Sequence, residues 1–248
     1  MITIKTTEEI KIMKEGGKIL AKIMKELEKQ IKPGITTKEL DRAAEALILK
    51  HGGKPSFKGY LDFPASLCTS INEEIVHCFP SERRLQEGDI ISLDLGVLYK
   101  DFHTDMAITV PVGKVSPEAH RLIWVTKKAL KRGLKKVKIG NTVSDIGNTI
   151  QRYVESQGLG VVRELCGHGI GRKVHEDPQI PNFGKRGEGS VLREGMIICL
   201  EPMVTIGDWQ IKKARDNYGF KTKDNSLSAH FEHTILVTKA GFQVLTEL

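Results

Sequence analysis

Seven side chains in this sequence have the types and settings that chemistry needs: the acids Asp94, Asp105, Glu201 and Glu232, and the imidazoles His77, His168 and His175. The acids fall in otherwise apolar runs. Asp94 is flanked by Leu93 and Leu95, and Glu201 follows Ile197, Ile198, Cys199 and Leu200, so both point into an interior or a cleft floor. Carboxylates there need compensation, because an unpaired charge is costly to bury. His168 lies in Gly167-His168-Gly169-Ile170-Gly171, whose glycines let the backbone bend sharply and approach a ligand closely.

Four carboxylates and one imidazole, with no thiolate required, are a ligand set for two divalent ions sharing bridging carboxylates, and such hard ligands favour manganese, iron, cobalt or zinc. Two ions roughly 3.5–4 Å apart can hold a bridging hydroxide as nucleophile and polarise a carbonyl. Taken singly, each acid reads better as a surface or salt-bridged residue. Taken together, in strand settings, they favour the metal centre, although spacing does not say which carboxylates bridge. Other chemistries are poorly served: there is no GxSxG elbow, no P-loop and no HExxH, and GHGIG lacks the spacing of a dinucleotide site. A Cys166–His168 nucleophile pair has nothing that marks its thiol as activated.

The elements that must position these groups can be read in outline. Gly88 to Val112 contains two alternating runs, around Ile91-Leu93-Leu95 and Thr104-Met106-Ile108-Val110, joined by a short connection, which predicts a hairpin. A turn centred on Tyr99 and Lys100 sets Asp94 directly opposite Asp105. Like charges so placed destabilise a ladder, so a shared proton, basic neighbours or a metal cation must relieve them.

Before the hairpin, Thr6 with Glu9 and Thr36 with Glu39 are capping-box patterns that open two helices, the second ending at Gly52-Gly53. Residues 54–67 read as a loop able to line a pocket, and residues 70–77 as an extended segment. After the hairpin the pattern starts again. The segment from Lys32 aligns with that from Lys138 at a constant offset, matching Gly34 with Gly140, Thr36 with Thr142 and Gly52 with Gly158. A helix over residues 117–137 parallels the first, and strands over 196–203 and 230–237 carry Glu201 and Glu232. One repeat is too long for a solenoid unit, so residues 1–112 and 113–248 are expected as two halves of one domain, related by a pseudo-twofold axis.

Composition sets wider bounds. No apolar run approaches the roughly 18 residues that span a bilayer, and the first residues have no apolar core, which predicts a cytoplasmic protein without a membrane partner. Cys68, Cys78, Cys166 and Cys199 are sparse and lack a CxxC pair, arguing against a disulfide framework or zinc-thiolate site. The net charge of +7 is densest at residues 127–138, which read as a solvated helix face or as weak attraction to ribosomal RNA. Composition does not choose between them.

The segments SINEEIVHCFP, LDLGVLYKDFHTDMAITV, CGHGIGRKVHEDP, GMIICLEPMV and SAHFEHTILVT together resemble the type 1 methionine aminopeptidases, across nearly the whole chain. The resemblance implies the α+β pita-bread fold, with a central antiparallel sheet covered by helices, and hydrolytic removal of initiator methionine from peptides and nascent chains, small second residues being preferred. It implies that Asp94 chelates one metal, that Asp105 and Glu232 bridge both, and that His168 and Glu201 complete the other metal's ligand set. His77 would contact the substrate near its amine and scissile peptide, His175 would bind the carbonyl oxygen as it becomes an oxyanion, and Glu201 would shuttle a proton to the leaving amine.

Tyr60, Phe63, Cys68 and Tyr218 match positions that line the methionine pocket, and Phe57 suits either that pocket or plain core cover. Phe63 stands where relatives often have tyrosine and Tyr218 where they often have tryptophan, so the pocket stays aromatic. No zinc-binding extension, extra N-terminal domain or long helical insertion between His175 and Glu201 is seen, which points to the short bacterial form, expected as a monomer. A noncatalytic binding module of the same fold and an aminopeptidase of other specificity are the competing readings.

Overall fold

A computed structural model of the chain describes residues 2–248. Helix α1 (Thr7–Glu28) starts on the expected capping box: the Thr6 hydroxyl accepts from Glu9 N, and the Glu9 carboxylate accepts from Thr6 N. Helix α2 (Thr37–Lys50) starts on the same box from Thr36 and Glu39. Helix α3 (Pro117–Leu134) is capped by Ser116, and α4 (Val143–Ser156) by a third box from Thr142 and Asp145. Each box satisfies two donors that a helix N-terminus otherwise leaves without partners.

A nine-stranded antiparallel sheet runs through the middle. Its centre is the hairpin of strands Ile90–Tyr99 and Phe102–Pro111, and the latter pairs with Glu232–Thr238, which in turn pairs with Ile197–Leu200. Strands Cys166–Gly169 and Glu176–Pro181 continue that edge, while Leu67–Ile71 lies against the hairpin's other side. Helices cover each half. Ile91, Leu93, Leu95 and Val97 pack with Leu20, Ile23 and Leu27 of α1 and Leu40 and Ile48 of α2. In the second half Ile198, Leu200 and Ile235 pack with Leu122 and Val125 of α3 and Ile146 and Ile150 of α4. Alternation then puts Asp94 and Gly96 on the face away from α1 and α2, because successive strand residues point to opposite sides. Two helix-covered half-sheets meeting at a shared antiparallel centre form the pita-bread arrangement that the resemblance implied.

The hairpin register differs from the one expected. Asp94 pairs with Ala107 and Asp105 with Gly96, because the turn is Lys100-Asp101 rather than Tyr99-Lys100. Both turn residues have positive φ, 46° and 67°, and Asp tolerates that left-handed region where a bulky tyrosine does not. Moving the turn by one residue moves the register by two. That keeps both aspartates on one face and makes them diagonal neighbours.

The strands expected over 196–203 and 230–237 are each broken, the first at Glu201 and the second one residue before Glu232. Ile197–Leu200 stops before Glu201-Pro202, and Met203–Thr205 then pairs with Ser228–His230 in a separate three-stranded sheet. Ser228–His230 and Glu232–Thr238 are likewise separated at Phe231. Pro202 has no N–H for a ladder, and the chain changes sheet there. Residues 54–67 include a two-residue strand, Lys54–Pro55, and a single turn at Tyr60–Asp62, and the extended segment after them is two strands, Leu67–Ile71 and Glu74–Val76.

The basic run on α3 lies mainly on the outer face. Lys128 sits 4.1 Å from the Trp124 ring centroid and Arg132 sits 4.3 Å from that of Tyr153, so aromatic faces take up part of the charge. Among the described residues no helix is long and apolar enough to cross a membrane.

Candidate metal centre and substrate cleft

Each half of the sheet delivers acids to one cleft. Asp94 and Asp105 come from the central hairpin, and Glu201 and Glu232 from the two places where a strand changes sheet. His168 arrives on the strand Cys166–Gly169. All five line a cavity of about 840 Å³ together with His77 and His175. Ligand atoms of Asp94, Asp105 and Glu232 lie within 4.8 Å of one another, and His168 Nε2 is 3.6 Å from Glu201 Oε1.

Acids this close and this buried must be neutralised, by protons or by a cation. Burial, reinforced by neighbouring carboxylates, pushes Asp94, Glu201 and Glu232 well above the usual carboxylate range, and burial lifts Asp105 to about 7. Asp94 Oδ1 and Glu232 Oε1 are buried without a hydrogen-bond partner. His168 is pushed down to about 3 by burial, so its ring is neutral; with Nδ1–H donating to Gly169 O at 2.8 Å, the Nε2 lone pair is left for a ligand. Carboxylate oxygens without donors beside a neutral imidazole are a chemical fit to divalent ions. Cys199 also lies within 4.8 Å of His168 and Glu232, but burial raises its thiol far above neutrality and its Sγ packs 3.6 Å from Thr234 Oγ1.

Three supporting residues escaped the sequence reading. The Thr234 hydroxyl accepts from Asp105 N and donates to Asp105 O, both at 2.8 Å, pinning that aspartate's backbone across the junction between the halves. Asn182 Nδ2 donates to Glu201 O at 3.0 Å. His230 is buried with both ring nitrogens unpartnered, and its Nε2 lies 3.7 Å from Glu201 Oε2. His230 could have been suspected from its place two residues before Glu232. Nothing in the sequence marks Asn182, which follows the strand Glu176–Pro181 and meets Glu201 only through the tertiary fold.

Beside the acids lies an apolar recess. Phe57, Phe63, Cys68 and Val174 are buried together, with Tyr60, Phe79 and Tyr218 packed against them. Phe63 and Phe79 meet the Tyr218 ring edge-on at 5.8 and 6.0 Å, and the Tyr218 hydroxyl donates to Asp62 O at 3.0 Å. Phe57 therefore belongs with the recess, its ring lying over Gly96, where a Cβ would come within 2.8 Å of it. Cys68 pairs with Asp94 in the ladder, which joins recess to acids.

His175 stands between the two. Its ring meets His168 edge-on with centroids 4.3 Å apart, and its Nδ1 lies 3.0 Å from the Tyr60 hydroxyl. His77, held at φ 60°, faces the Phe220 ring at 6.1 Å, and burial followed by the nearby His175 pushes it down to about 4.

The glycines around His168 have a different use from the one expected. A Cβ at Gly167 would lie 2.3 Å from Cys199 O, one at Gly169 2.2 Å from Asp177 O, and one at Gly171 2.2 Å from Lys5 Cε. They admit neighbouring protein chain rather than a ligand, since the strand carrying His168 is squeezed between two others.

Residues 11–239 match the model of metallopeptidase family M24. The chain is 48% identical to the methionine aminopeptidase of Clostridium perfringens over 246 residues, covering 99% of each chain. It is also 48% identical to methionine aminopeptidase 1 of Bacillus subtilis over 248 residues, covering all of each. The crystal structure of methionine aminopeptidase from Thermotoga maritima superposes with a TM-score of 0.98 at 42% identity, again over all of each chain. With a buried carboxylate and imidazole cluster at the floor of its cleft, the chain belongs to metallopeptidase family M24.

Proposed function

We propose that this chain removes methionine from the N-terminus of peptides and nascent proteins, acting as one catalytic domain, with Asp94, Asp105, His168, Glu201 and Glu232 holding two divalent ions. The observation that carries this reading is the pair of unpartnered carboxylate oxygens, on Asp94 and Glu232, inside a cluster of four buried acids beside an aromatic recess. Divalent ions bound there would supply Lewis acidity and lower the pKa of water.

The remaining work falls to side chains. The recess from Phe57 to Tyr218 is apolar and ring-lined, the environment that suits a thioether, since sulfur makes favourable contacts with ring edges. Burial keeps His175 neutral near pH 7. With the Tyr60 hydroxyl donating to Nδ1, the ring proton sits on Nε2, which is then the donor for the scissile carbonyl oxygen as negative charge develops on it. Glu201, raised by burial and Asp105 in the metal-free cleft, would be ionised once divalent ions take its proton's place, and would then take a proton from the attacking water and pass it to the amine nitrogen as the carbon–nitrogen bond breaks. His77, neutral at working pH, lies close to His175 and faces the amine end of the substrate.

The test is metal analysis of protein purified without added metal, followed by release assays on Met-Ala, Leu-Ala and Xaa-Pro peptides. Methionine release from Met-Ala far above the others supports the reading. A metal-loaded protein that releases no methionine overturns it.

A further inference from the structure

The loop that carries His175 belongs to no strand, so something else must hold it. Its first half is tied by backbone: Ile170 N donates to Ile197 O at 3.2 Å and His103 N to Gly171 O at 2.7 Å. At Lys173 a side chain takes over, because Lys173 N donates to Glu176 Oε1 at 3.1 Å. Glu176 adjoins His175 in the chain, and its other oxygen, Oε2, accepts Lys5 Nζ at 2.6 Å and the Thr3 hydroxyl.

This ion pair is buried, the side chains being 1% exposed for Lys5 and 7% for Glu176. Lys5 is fixed in turn by its own N–H, which donates to Gly195 O at 3.0 Å, and by its stem, which fills the space a Gly171 side chain would need. Arg172, in the same loop, is paired with Glu9 at the start of α1. Thr3 itself lines the cleft. A buried ion pair contributes little net stability compared with an apolar contact of the same shape, but it specifies one geometry, and loss of one partner strands the other's charge. Such a pair is suited to holding a residue in place.

We infer that the Lys5–Glu176 ion pair, with Thr3, is a positioning device that holds His175 where it meets the substrate carbonyl, making the segment ahead of α1 part of the catalytic apparatus. The inference rests on the role proposed above for His175. Lys5, which is not part of the cleft lining, acts through Glu176 and the loop, and the Thr3 hydroxyl acts on the same Glu176 oxygen. Displacing a catalytic group by about 1 Å costs up to about 100-fold in rate, whereas the recess that binds the methionine side chain and the five ligating residues are left unchanged.

The test uses the full chain, metal-loaded, with Lys5→Met, His175→Ala and the double variant assayed on a Met-Ala peptide, and with bound metal and circular dichroism measured for each. Lys5→Met should lower kcat about 10- to 100-fold, with KM within about threefold and metal content unchanged. In the His175→Ala background the same substitution should add less than about twofold, because the group it positions is already gone. A purely structural loss would multiply fully onto His175→Ala and would overturn the inference, as would an unchanged kcat. Should Lys5→Met fail to fold, Thr3→Val leaves the ion pair in place and must show the same dependence on His175. Full activity in His175→Ala alone would instead remove the reading on which the inference stands.

Discussion

The Tyr60 hydroxyl lies 3.0 Å from His175 Nδ1, at the seam between the aromatic recess and the acid cluster. A phenol at neutral pH can donate to a neutral imidazole nitrogen, and doing so selects the tautomer with the proton on Nε2. Tyr60→Phe keeps the ring in the recess and removes that selection. The expected outcome is a kcat lowered about 10-fold with KM little changed, measured on Met-Ala peptides. A raised KM with intact kcat would assign Tyr60 to side-chain binding alone.

Removing an acid from the centre should act on the metal before it acts on the rate. Asp105→Ala and Glu232→Ala each take away a carboxylate that lies within 4.8 Å of the other and of Asp94. Metal stoichiometry, read by elemental analysis, should fall with turnover in both variants. His175→Ala should lose turnover with metal retained, which separates the two kinds of residue.

The metal-free protein should lose stability as pH rises above about 6.5. Native Asp105, lifted to about 7 by burial, and Asp94, Glu201 and Glu232, also raised well above the usual carboxylate range, keep protons that the unfolded chain releases near pH 4. The native state therefore binds more protons in that window, and unfolding free energy falls with increasing pH. Below about 6.5 the buried His168 and His230, both pushed to about 3, act in the opposite sense, because the unfolded chain then binds the extra protons. Thermal melts at pH 6.5 and 8 should show the loss in chelated protein. Divalent metal at 100-fold excess over Kd should restore about 2.7 kcal/mol or more, with proton release on binding.

Gly169→Ala tests the packing that carries His168. A Cβ there would sit 2.2 Å from Asp177 O, a backbone atom in the adjoining strand, so one of the two chains must move. Overpacking of this kind costs about 1–3 kcal/mol, to be read as a lower denaturant midpoint. Weaker metal retention should accompany it, since the neighbouring imidazole moves with the strand.

Much of this protein was determined by local pattern. Capping boxes at Thr6 and Thr36 marked two helix starts, because those signals are made within four residues, and the repeat marked a further one at Thr142. Asp94, Asp105, Glu201 and Glu232 stood out because charge in an apolar strand is conspicuous wherever the strand ends up. The register that puts Asp94 opposite Ala107 is itself local in origin, set by Lys100 and Asp101 taking the positive-φ turn positions. Tertiary structure decided what depends on distant chain. It decided that Asn182, Thr234 and His230 surround the acids, and that Lys5 reaches Glu176 across 171 positions. Those contacts arise only when separate strands are brought side by side, and no spacing along the chain encodes them.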